Sequence, residues 1–324
     1  MGSAVNTNYS YIILAILAIT VFIVSLSIGR YPVNIFNLDK VSVAVLLEVR
    51  LPRIIMGIIL GAVLGCSSAA LQAILRNPLA SPYVLGVTQG AAFGAGLAML
   101  LLPPEPYVIP LFSFCFALTA VLIALTIARI QGVISPIVLV LSGILVGAMF
   151  MVGLSIIQWI IDPWRLHGLI FWLMGGLYRV SWSSYPIALP GAILGLVLLT
   201  AMRWRLNILS LSEYEARSLG VNVGRERLIV LALSAGAVAS VTCVSGIVAF
   251  IGLIIPHIAR AIFGADNRVL IPASIAVGSI ILPIADTLCR SLLPSEIPLS
   301  IVTTTITVPY LAYLLRRVAT RWAI

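Results

Sequence analysis

Side chains that could bind a nucleotide, a metal ion or a proton are few in this sequence and lie far apart. A nucleotide-binding P-loop needs a lysine directly after a glycine-rich turn, and Lys40, the only lysine, follows no such turn. The two histidines, His167 and His257, are ninety residues apart and share no metal-ligand spacing with an acidic or thiol residue. We therefore expect no nucleotide chemistry, no cofactor and no metal site within this chain.

The sulfur-containing and imidazole side chains are better explained as packing and hydrogen-bonding groups. His257 follows Pro256 and precedes Arg260 near the end of an apolar segment, so a structural hydrogen bond is a simpler role for it than metal binding. No Cys-x-x-Cys pair occurs, and the cysteines stand singly in apolar segments: Cys66, Cys115, Cys243 and Cys289. Three methionines are interpreted as packing residues rather than as a metal path: Met149, Met151 and Met174.

The composition predicts a protein that lies in a lipid bilayer. Hydrophobic residues make up 61% of the 324 residues, charged residues only 9%, and the mean hydropathy is +1.18. A soluble domain carries about 25% charged residues to hydrate its surface, so this chain has too few for a water-exposed exterior. The formal net charge of +9 is spread singly between apolar runs, which argues against nucleic acid as a partner.

The apolar residues form ten long segments, and they predict an all-α polytopic membrane protein with about ten transmembrane helices. A spanning helix needs about 20 apolar residues, and the runs are continuous rather than alternating, which excludes barrel strands. The eighth segment is short and follows the seventh directly, so nine spans is an alternative. We treat residues 1–324 as a single transmembrane domain with these segments: 11–29, 52–75, 84–102, 108–128, 136–160, 185–204, 228–247, 248–263, 270–293 and 297–316.

The distribution of basic residues predicts the orientation. Ten spans place both termini on one side, and basic residues are enriched in cytoplasmic loops. With cytoplasmic termini, seven basic residues lie outside: Arg30, Lys40, Arg50, Arg53, Arg165, Arg179 and Arg290. Twelve then lie inside: Arg76, Arg129, Arg203, Arg205, Arg217, Arg225, Arg227, Arg260, Arg268, Arg316, Arg317 and Arg321. Both termini are therefore expected in the cytoplasm.

Two stretches between the apolar segments have their own character. Residues 161–184 are rich in aromatic side chains and include Gly175-Gly176, which is typical of a short interfacial helix and loop at the outer membrane surface. Residues 205–228 are the only sustained polar stretch and fall on the cytoplasmic side. Their length predicts two short helices joined at Gly220.

Ordered motifs along the chain resemble the iron-chelate, haem and cobalamin ABC importer permease family. They are RLPR at 50–53, RNPLASP at 76–82, ARSLG at 216–220, GIVAFIGLIIPHIAR at 246–260, DTLCR at 286–290 and EIP at 296–298. The resemblance extends from about residue 45 to residue 317. This chain departs from the family pattern at Ser300, where glycine is usual, and at Thr307-Val308-Pro309, where Gly-x-Pro is usual.

The resemblance implies a fold, partners and a function. The fold is that of a ten-helix cobalamin-importer permease, which pairs with a second copy of itself around a path along the dimer axis in the cell (inner) membrane. Two cytoplasmic ATP-binding subunits supply energy, and an extracytoplasmic substrate-binding protein delivers the cargo. The expected cargo is a ferric siderophore, haem or cobalamin, and the alternative within the family is a molybdate or tungstate oxyanion.

The resemblance also implies site residues. It assigns docking of the binding protein to Arg50, Arg53 and Arg290. Interfacial snorkelling of Arg50 and Arg53, and neutralisation of Arg290 by Asp286 four residues earlier, are the structural alternatives. It assigns contact with the ATP-binding subunit to Glu213, Ala216, Arg217, Ser218, Leu219 and Gly220, for which a merely solvated loop is the alternative. It assigns a cytoplasmic gate to Ser135, Pro136 and Ile137, where Ser and Pro also suit a helix start.

Two other functional classes fit the sequence less well. An ion-coupled secondary transporter places acidic or imidazole groups inside the membrane, and Asp286 is the only acid inside a predicted span. A membrane enzyme needs clustered His, Asp or Glu on one face, and the sequence has none. Glycines at a spacing of four predict close helix packing: Gly57, Gly61 and Gly65, and Gly90 and Gly94.

Overall fold

The computed structural model describes residues 7–31, 39–103, 105–130 and 133–322, and these are almost entirely helical. The helices are α1 (Thr7–Ser27), α2 (Lys40–Leu75), α3 (Val87–Leu101), α4 (Val108–Ala128), α5 (Pro136–Ile160), α6 (Pro163–Leu173), α7 (Tyr185–Ala201), α8 (Arg203–Leu209), α9 (Glu213–Ser218), α10 (Val223–Ser245), α11 (Ile251–Phe263), α12 (Asn267–Ser291) and α13 (Leu299–Trp322). Short 3-10 turns cover Pro82–Leu85 and Trp182–Ser184.

A small ladder is the one departure from all-helical structure in the described residues. Strands β1 (Arg129–Ile130) and β2 (Val133–Ile134) pair antiparallel between α4 and α5, with Arg129 opposite Ile134 and Ile130 opposite Val133. Each strand has two residues, so the ladder closes a tight connection and adds no layer to the fold. The all-α prediction is confirmed for the architecture.

Each of the ten predicted apolar segments contains one helix. Seven of these helices are long and apolar enough to cross a bilayer, α3 and α11 are shorter, and α13 contributes the shorter apolar stretch Leu299–Tyr313. The eighth predicted segment is a helix of its own, α11, but its 13 residues span only about 20 Å. The residues described here thus form a multi-pass membrane protein. Residues 1–6 and 323–324 lie outside the described residues, so the cytoplasmic location of the termini stays a prediction.

Helix α2 starts earlier than the sequence predicted. The expected start was residue 52, but the helix begins at Lys40, where the Asp39 carboxylate accepts a hydrogen bond from the Ser42 amide at 2.9 Å. A π-helical stretch over Val45–Arg50 lies within it. Because of this early start, Arg50 and Arg53 lie well inside the helix and not at its mouth.

Helix α2 forms the centre of the bundle through close packing against α12. A methyl group placed on Gly61 would lie 2.0 Å from the carbonyl oxygen of Gly278, and one on Gly65 would lie 2.4 Å from that of Ser274. Methyl groups placed on Gly90 and Gly94 of α3 would each lie 2.4 Å from a carbonyl oxygen of α4, that of Phe116 and that of Phe112. The predicted close packing of glycines is confirmed at these positions.

The outward faces of α1, α4, α5 and α7 carry large apolar side chains without cover in the chain. On α5 they recur every three to four residues, which makes one continuous stripe: Ile137, Leu141, Ile144, Leu145, Val152, Ile156 and Trp159. An exposed stripe of this size does not occur on soluble domains. Lipid or a second membrane protein must cover it.

Candidate functional site

A cluster of three buried arginines, the buried Asp286 carboxylate and the partly exposed Glu296 carboxylate lies at the end of the bundle where α1 ends. Arg50 and Arg53 come from α2, Asp286 and Arg290 from α12, and Glu296 from the loop between α12 and α13. The guanidinium groups have little contact with solvent, since the three arginines are 3%, 5% and 5% exposed. The sequence analysis assigned these three arginines to docking of a binding protein; the structure brings them together, and the docking role stays a prediction. We call this end of the bundle the Arg53 face.

Arg53 forms ion pairs with two carboxylates at once. Its Nε lies 2.8 Å from both oxygens of Asp286, and its Nη1 lies 3.0 Å from both oxygens of Glu296. The planar guanidinium fork suits such double pairing. Arg53 therefore joins α2, α12 and the α12–α13 loop, while Asp286 is held as the buried partner of a cation.

Arg50 and Arg290 complete the end of α1 with hydrogen bonds. Arg50 donates from Nη1 to the carbonyl oxygens of Leu26 at 2.5 Å and Ser27 at 3.0 Å. Arg290 donates from Nη2 to the carbonyl oxygen of Ser25. The last carbonyls of a helix have no partner within it, so both side chains act as caps. Arg50 and Arg53 are 3% and 5% exposed, so neither side chain extends outward as the snorkelling alternative for these two residues requires.

The alternative that Asp286 neutralises Arg290 is only partly realised. Arg290 Nε lies 3.9 Å from Asp286 Oδ2, whereas Arg53 holds the same carboxylate at 2.8 Å. Glu296 was not among the predicted site residues. No local pattern could have identified its pairing with Arg53, because the two residues are 243 positions apart.

Beside Glu296 lies a cavity of about 620 Å³. Phe171, Met174 and Tyr178 form part of its wall, and the Arg30 and Glu296 side chains add one charge of each sign. Aromatic and thioether walls with few polar groups suit an amphipathic organic ligand better than a bare ion. Met174, interpreted above as a packing residue, lines this cavity.

Three stretches of non-helical backbone meet next to this cavity. The amide of Gly176 donates to the carbonyl of Ser245 at 2.8 Å, and the amide of Leu299 donates to the carbonyl of Gly175 at 3.0 Å. These bonds join the end of α6, the α10–α11 loop and the start of α13. Phe250, in that loop, has φ 60°. A left-handed phenylalanine is strained by about 1–2 kcal/mol, so its surroundings must hold it there.

Ser300 holds the α10–α11 loop. Its hydroxyl donates to the carbonyl of Ile247 at 2.7 Å and accepts from the amide of Ala249 at 3.1 Å, and Thr303 donates to the carbonyl of Ala249 at 3.1 Å. Ser300 is the position at which this chain departs from the family's usual glycine. Its side chain thus supplies two hydrogen bonds that glycine cannot make. The sequence signalled the position but not its role.

The opposite end of the bundle carries the short helix α9, and we call it the α9 face. Ser212 and Glu215 form a capping box: Ser212 Oγ accepts from the Glu215 amide at 3.2 Å, and a Glu215 oxygen accepts from the Ser212 amide at 2.8 Å. These bonds lower the pKa of Glu215. At the other end, Gly220 has φ 78° and the Val221 amide donates to the Ala216 carbonyl at 3.2 Å, which completes a Schellman motif.

One side of helix α9 packs against the bundle, and the opposite side is exposed. Ala216 is fully buried, whereas Tyr214 is 84% and Leu219 60% exposed. Glu213 pairs with Arg217 across one turn at 2.6 Å. The prediction of two short helices joined at Gly220 is confirmed for α9 only, because the helix that follows Gly220 is the long helix α10. The structure also contains α8, a short helix that begins at Arg203, just after α7 ends.

Helix α8 is tied to the α11–α12 loop. Asn207 donates to the Asp266 carboxylate at 2.7 Å and accepts from the Asn267 amide at 2.8 Å. Hydrogen bonds from Arg268 and then Asn207 hold the pKa of Asp266 well below its usual range. The α9 face is therefore held by a polar network of side chains outside the bilayer.

The proposed gate residues lie at the start of α5, on the α9 face. Pro136 is its first residue, and the Ser135 carbonyl accepts from the Leu139 amide at 2.9 Å. Ser135 occupies the N-cap position, as the helix-start alternative predicted, but its hydroxyl makes no capping hydrogen bond. Ile137 is 73% exposed. The gate itself stays a prediction.

His257 has the structural hydrogen bond that the sequence favoured. Its Nε2 lies 3.1 Å from the carbonyl oxygen of Pro78, and Arg260, one turn later, donates to Gln72 Oε1 at 3.1 Å. These contacts connect the 246–260 and 76–82 motifs. Across the described part of the chain, no three His, Cys, Asp or Glu side chains converge as metal ligands.

Comparison with known proteins places this arrangement in a family. The model of the FecCD transport family matches residues 11–317. The Fe(3+)-citrate import system permease protein of Bacillus subtilis is 36% identical, with 94% of each chain covered. The molybdate import system permease protein of Haemophilus influenzae is 34% identical, with 94% of this chain and 95% of the relative covered.

A solved structure agrees with the fold. It is described as an inward-facing conformation of a metal-chelate type ABC transporter, and it matches with a TM-score of 0.87 at 34% identity over 94% of this chain and 97% of the other. The family match covers nearly the whole chain, including both ends of the bundle described above. The chain is therefore a membrane permease of the FecCD transport family.

Proposed function

We propose that this chain is the transmembrane subunit of an ATP-binding-cassette importer that carries a metal chelate into the cytoplasm. It works as a homodimer with two ATP-binding subunits and an extracytoplasmic substrate-binding protein, in the cell membrane, with both termini in the cytoplasm. The observation that carries the proposal is α9: a rigid, exposed helix on a permease whose sequence contains no P-loop.

Helix α9 has the properties of a contact with an ATP-driven partner. A short helix that lays its exposed side chains in a groove transmits motion only if it keeps its own shape. The capping box and the left-handed Gly220 fix both ends of α9, and the Glu213–Arg217 pair supports the turn between them. We assign contact with the ATP-binding subunit to Glu213, Ala216, Arg217, Ser218, Leu219 and Gly220. Ala216 is buried, so it contributes by holding α9 against the bundle and not by touching the partner.

The Arg53 face suits an acidic partner. Three guanidinium groups and two carboxylates leave one positive charge in excess. That charge attracts carboxylates on a binding protein and sets their register. Because Arg50, Arg53 and Arg290 are buried, direct docking on them requires Glu296 or the end of α1 to move. We assign the cytoplasmic gate to Ser135, Pro136 and Ile137, where exposed Ile137 leaves an apolar surface for the second copy.

Ion-coupled transport is disfavoured by the setting of Asp286. A coupling carboxylate must exchange its proton or ion during transport, but Asp286 is fixed by two nitrogens of Arg53. An oxyanion remains the second substrate candidate, because the relative named for molybdate is 34% identical to this chain and the relative named for Fe(3+)-citrate is 36% identical. The aromatic cavity wall beside Glu296 favours an organic chelate over a small anion.

Reconstitution tests the function directly. Proteoliposomes are prepared with this chain, its ATP-binding subunit and its binding protein. They are expected to accumulate a ferric chelate, haem or cobalamin only when ATP is present on the side of the membrane where the ATP-binding subunit lies. Omitting the ATP-binding subunit is the matched control. Uptake driven by a proton or sodium gradient without nucleotide would refute the proposal, and ATP-driven uptake of molybdate alone would change the substrate class.

A further inference from the structure

A groove on the α9 face combines charged and apolar walls. It lies between the end of α4 and the start of α10 and has a volume of about 420 Å³. Its apolar wall consists of Leu122, Leu125 and Leu228, and its polar rim includes Arg129 and Arg225. Gly224 adds no side chain on that rim, so the groove stays open between the two arginines.

The groove lies at the level where a spanning helix leaves the bilayer. Arg129 directly follows the last residue of α4, and Arg225 lies in the first turn of α10. One and two turns before Arg129, the α4 side chains Leu125 and Leu122 point toward the groove, and Leu122 is 62% exposed. The leucines therefore face the hydrocarbon region, and the arginines face the layer of lipid headgroups.

Some arginines of the α9 face are paired with a carboxylate, while others, among them Arg76 and Arg203, form no ion pair within the described residues. Arg205, Arg217 and Arg268 each form an ion pair with a carboxylate of this chain. Within the described ranges, neither Arg129 nor Arg225 forms one. Two uncompensated guanidinium groups at one groove attract an anion, and an apolar wall beneath them fits an anion that carries a hydrocarbon chain.

We propose that this groove binds an anionic phospholipid. The guanidinium groups of Arg129 and Arg225 hold the headgroup phosphate, and one acyl chain lies along Leu122, Leu125 and Leu228. The proposal rests on the proposed orientation, because the cytoplasmic leaflet supplies the anionic lipids that basic pockets between membrane helices select. The lipid then holds the start of α10, three residues after Gly220, against α4.

Retention of lipid by the purified full-length chain tests the proposal without any transport assay. Native mass spectrometry of the chain released from detergent, with phosphatidylglycerol or phosphatidylcholine added, is expected to show selective retention of phosphatidylglycerol. Inorganic phosphate at millimolar concentration is expected not to displace it. The Arg129→Gln/Arg225→Gln double variant is expected to bind about 25-fold more weakly, at about fivefold for each arginine.

Arg76→Gln/Arg316→Gln is the matched control, because it removes two exposed arginines outside the groove and is expected to retain the lipid. Equal retention of both lipids by the unmodified chain would overturn the proposal even if the double variant fails to fold. Displacement by inorganic phosphate alone would reassign the groove to a free anion. Loss of the lipid on assembly, together with failure of the double variant to assemble, would make the groove an ATP-binding-subunit contact instead. Since retention is read on the chain alone, a failed uptake experiment leaves this result intact.

Discussion

Arg53 Nη1 donates to both carboxylate oxygens of Glu296 at 3.0 Å, which fastens the α12–α13 loop to the central helix α2. The same guanidinium holds Asp286, which is almost fully buried. Arg53 therefore has two roles: it holds the α12–α13 loop through Glu296, and it neutralises the buried carboxylate of Asp286.

Removing this guanidinium should destabilise the protein more than removing the whole ion pair. Arg53→Met leaves the Asp286 carboxylate buried without its cation, which costs about 3–5 kcal/mol of unfolding free energy. Arg53→Met/Asp286→Leu removes both charges and should recover much of the loss. Thermal unfolding in detergent measures both variants, with Arg165→Met, an exposed ion-pair arginine, as control. A double variant no more stable than the single one would contradict the argument.

Changing the exposed end of α9 should separate ATP hydrolysis from uptake. Leu219→Ser alters a side chain that is 60% exposed, so the unfolding free energy should change by less than about 0.5 kcal/mol. Uptake in proteoliposomes should fall severalfold while ATP hydrolysis continues. Leu292→Ser, equally exposed on the Arg53 face, is the control. Normal uptake by Leu219→Ser would remove α9 from the coupling contact.

Gly220→Ala should disturb α9 through its backbone. Alanine at φ 78° is strained by about 1 kcal/mol and weakens the Schellman motif. We expect the same uncoupling as for Leu219→Ser with a correctly assembled dimer, measured by uptake and by size-exclusion chromatography. No described atom lies within 4 Å of the added methyl group, so a packing clash cannot account for a defect.

Ser300→Ala should loosen the α10–α11 loop. The variant leaves the Ile247 carbonyl and the Ala249 amide without their hydroxyl partner, which costs about 1–3 kcal/mol. Hydrogen exchange at the Ala249 amide should accelerate, and the unfolding temperature should fall. Ser155→Ala removes an exposed hydroxyl that bonds only to its own helix and should change neither quantity. Unchanged exchange at Ala249 would show that the loop is held by other contacts.

The Asp266 carboxylate should make part of the stability dependent on pH. Its folded pKa is depressed by the hydrogen bonds from Arg268 and Asn207, so its contribution is present above the unfolded pKa of about 3.9 and is lost as the pH falls through the folded pKa. Asp266→Asn should be less stable by under about 1 kcal/mol at pH 7, since the pair is partly exposed. The difference should shrink below about pH 4. A difference constant from pH 7 to pH 3 would exclude this linkage.

The helices could be predicted from the sequence because lipid imposes a length and a composition on each of them. Runs of apolar residues fixed the ten segments, and glycines at a spacing of four identified the close contact of Gly61 with α12. The start of α2 was missed because Glu48, Arg50 and Arg53 interrupt the apolar residues of its first turns and Pro52 resembles a helix start.

The contacts that define the sites could not be predicted in the same way. The partners of Arg53 lie 233 and 243 residues away, and no local pattern encodes such a pairing. The motif resemblance selected Arg50, Arg53 and Arg290 together, but it did not show that their guanidinium groups point into the chain. Ser300 stood out only as a departure from a family pattern, and its two hydrogen bonds appear only once the helices are assembled.

The cap at the end of α1 has a consequence for biosynthesis. Ser25 lies in α1, yet its carbonyl receives its donor from Arg290, 265 residues later. Thr287, in the same late helix, donates to the Ser25 hydroxyl at 2.8 Å. During translation the end of α1 therefore lacks these partners until α12 has been synthesised, and only then can α1 take its final place.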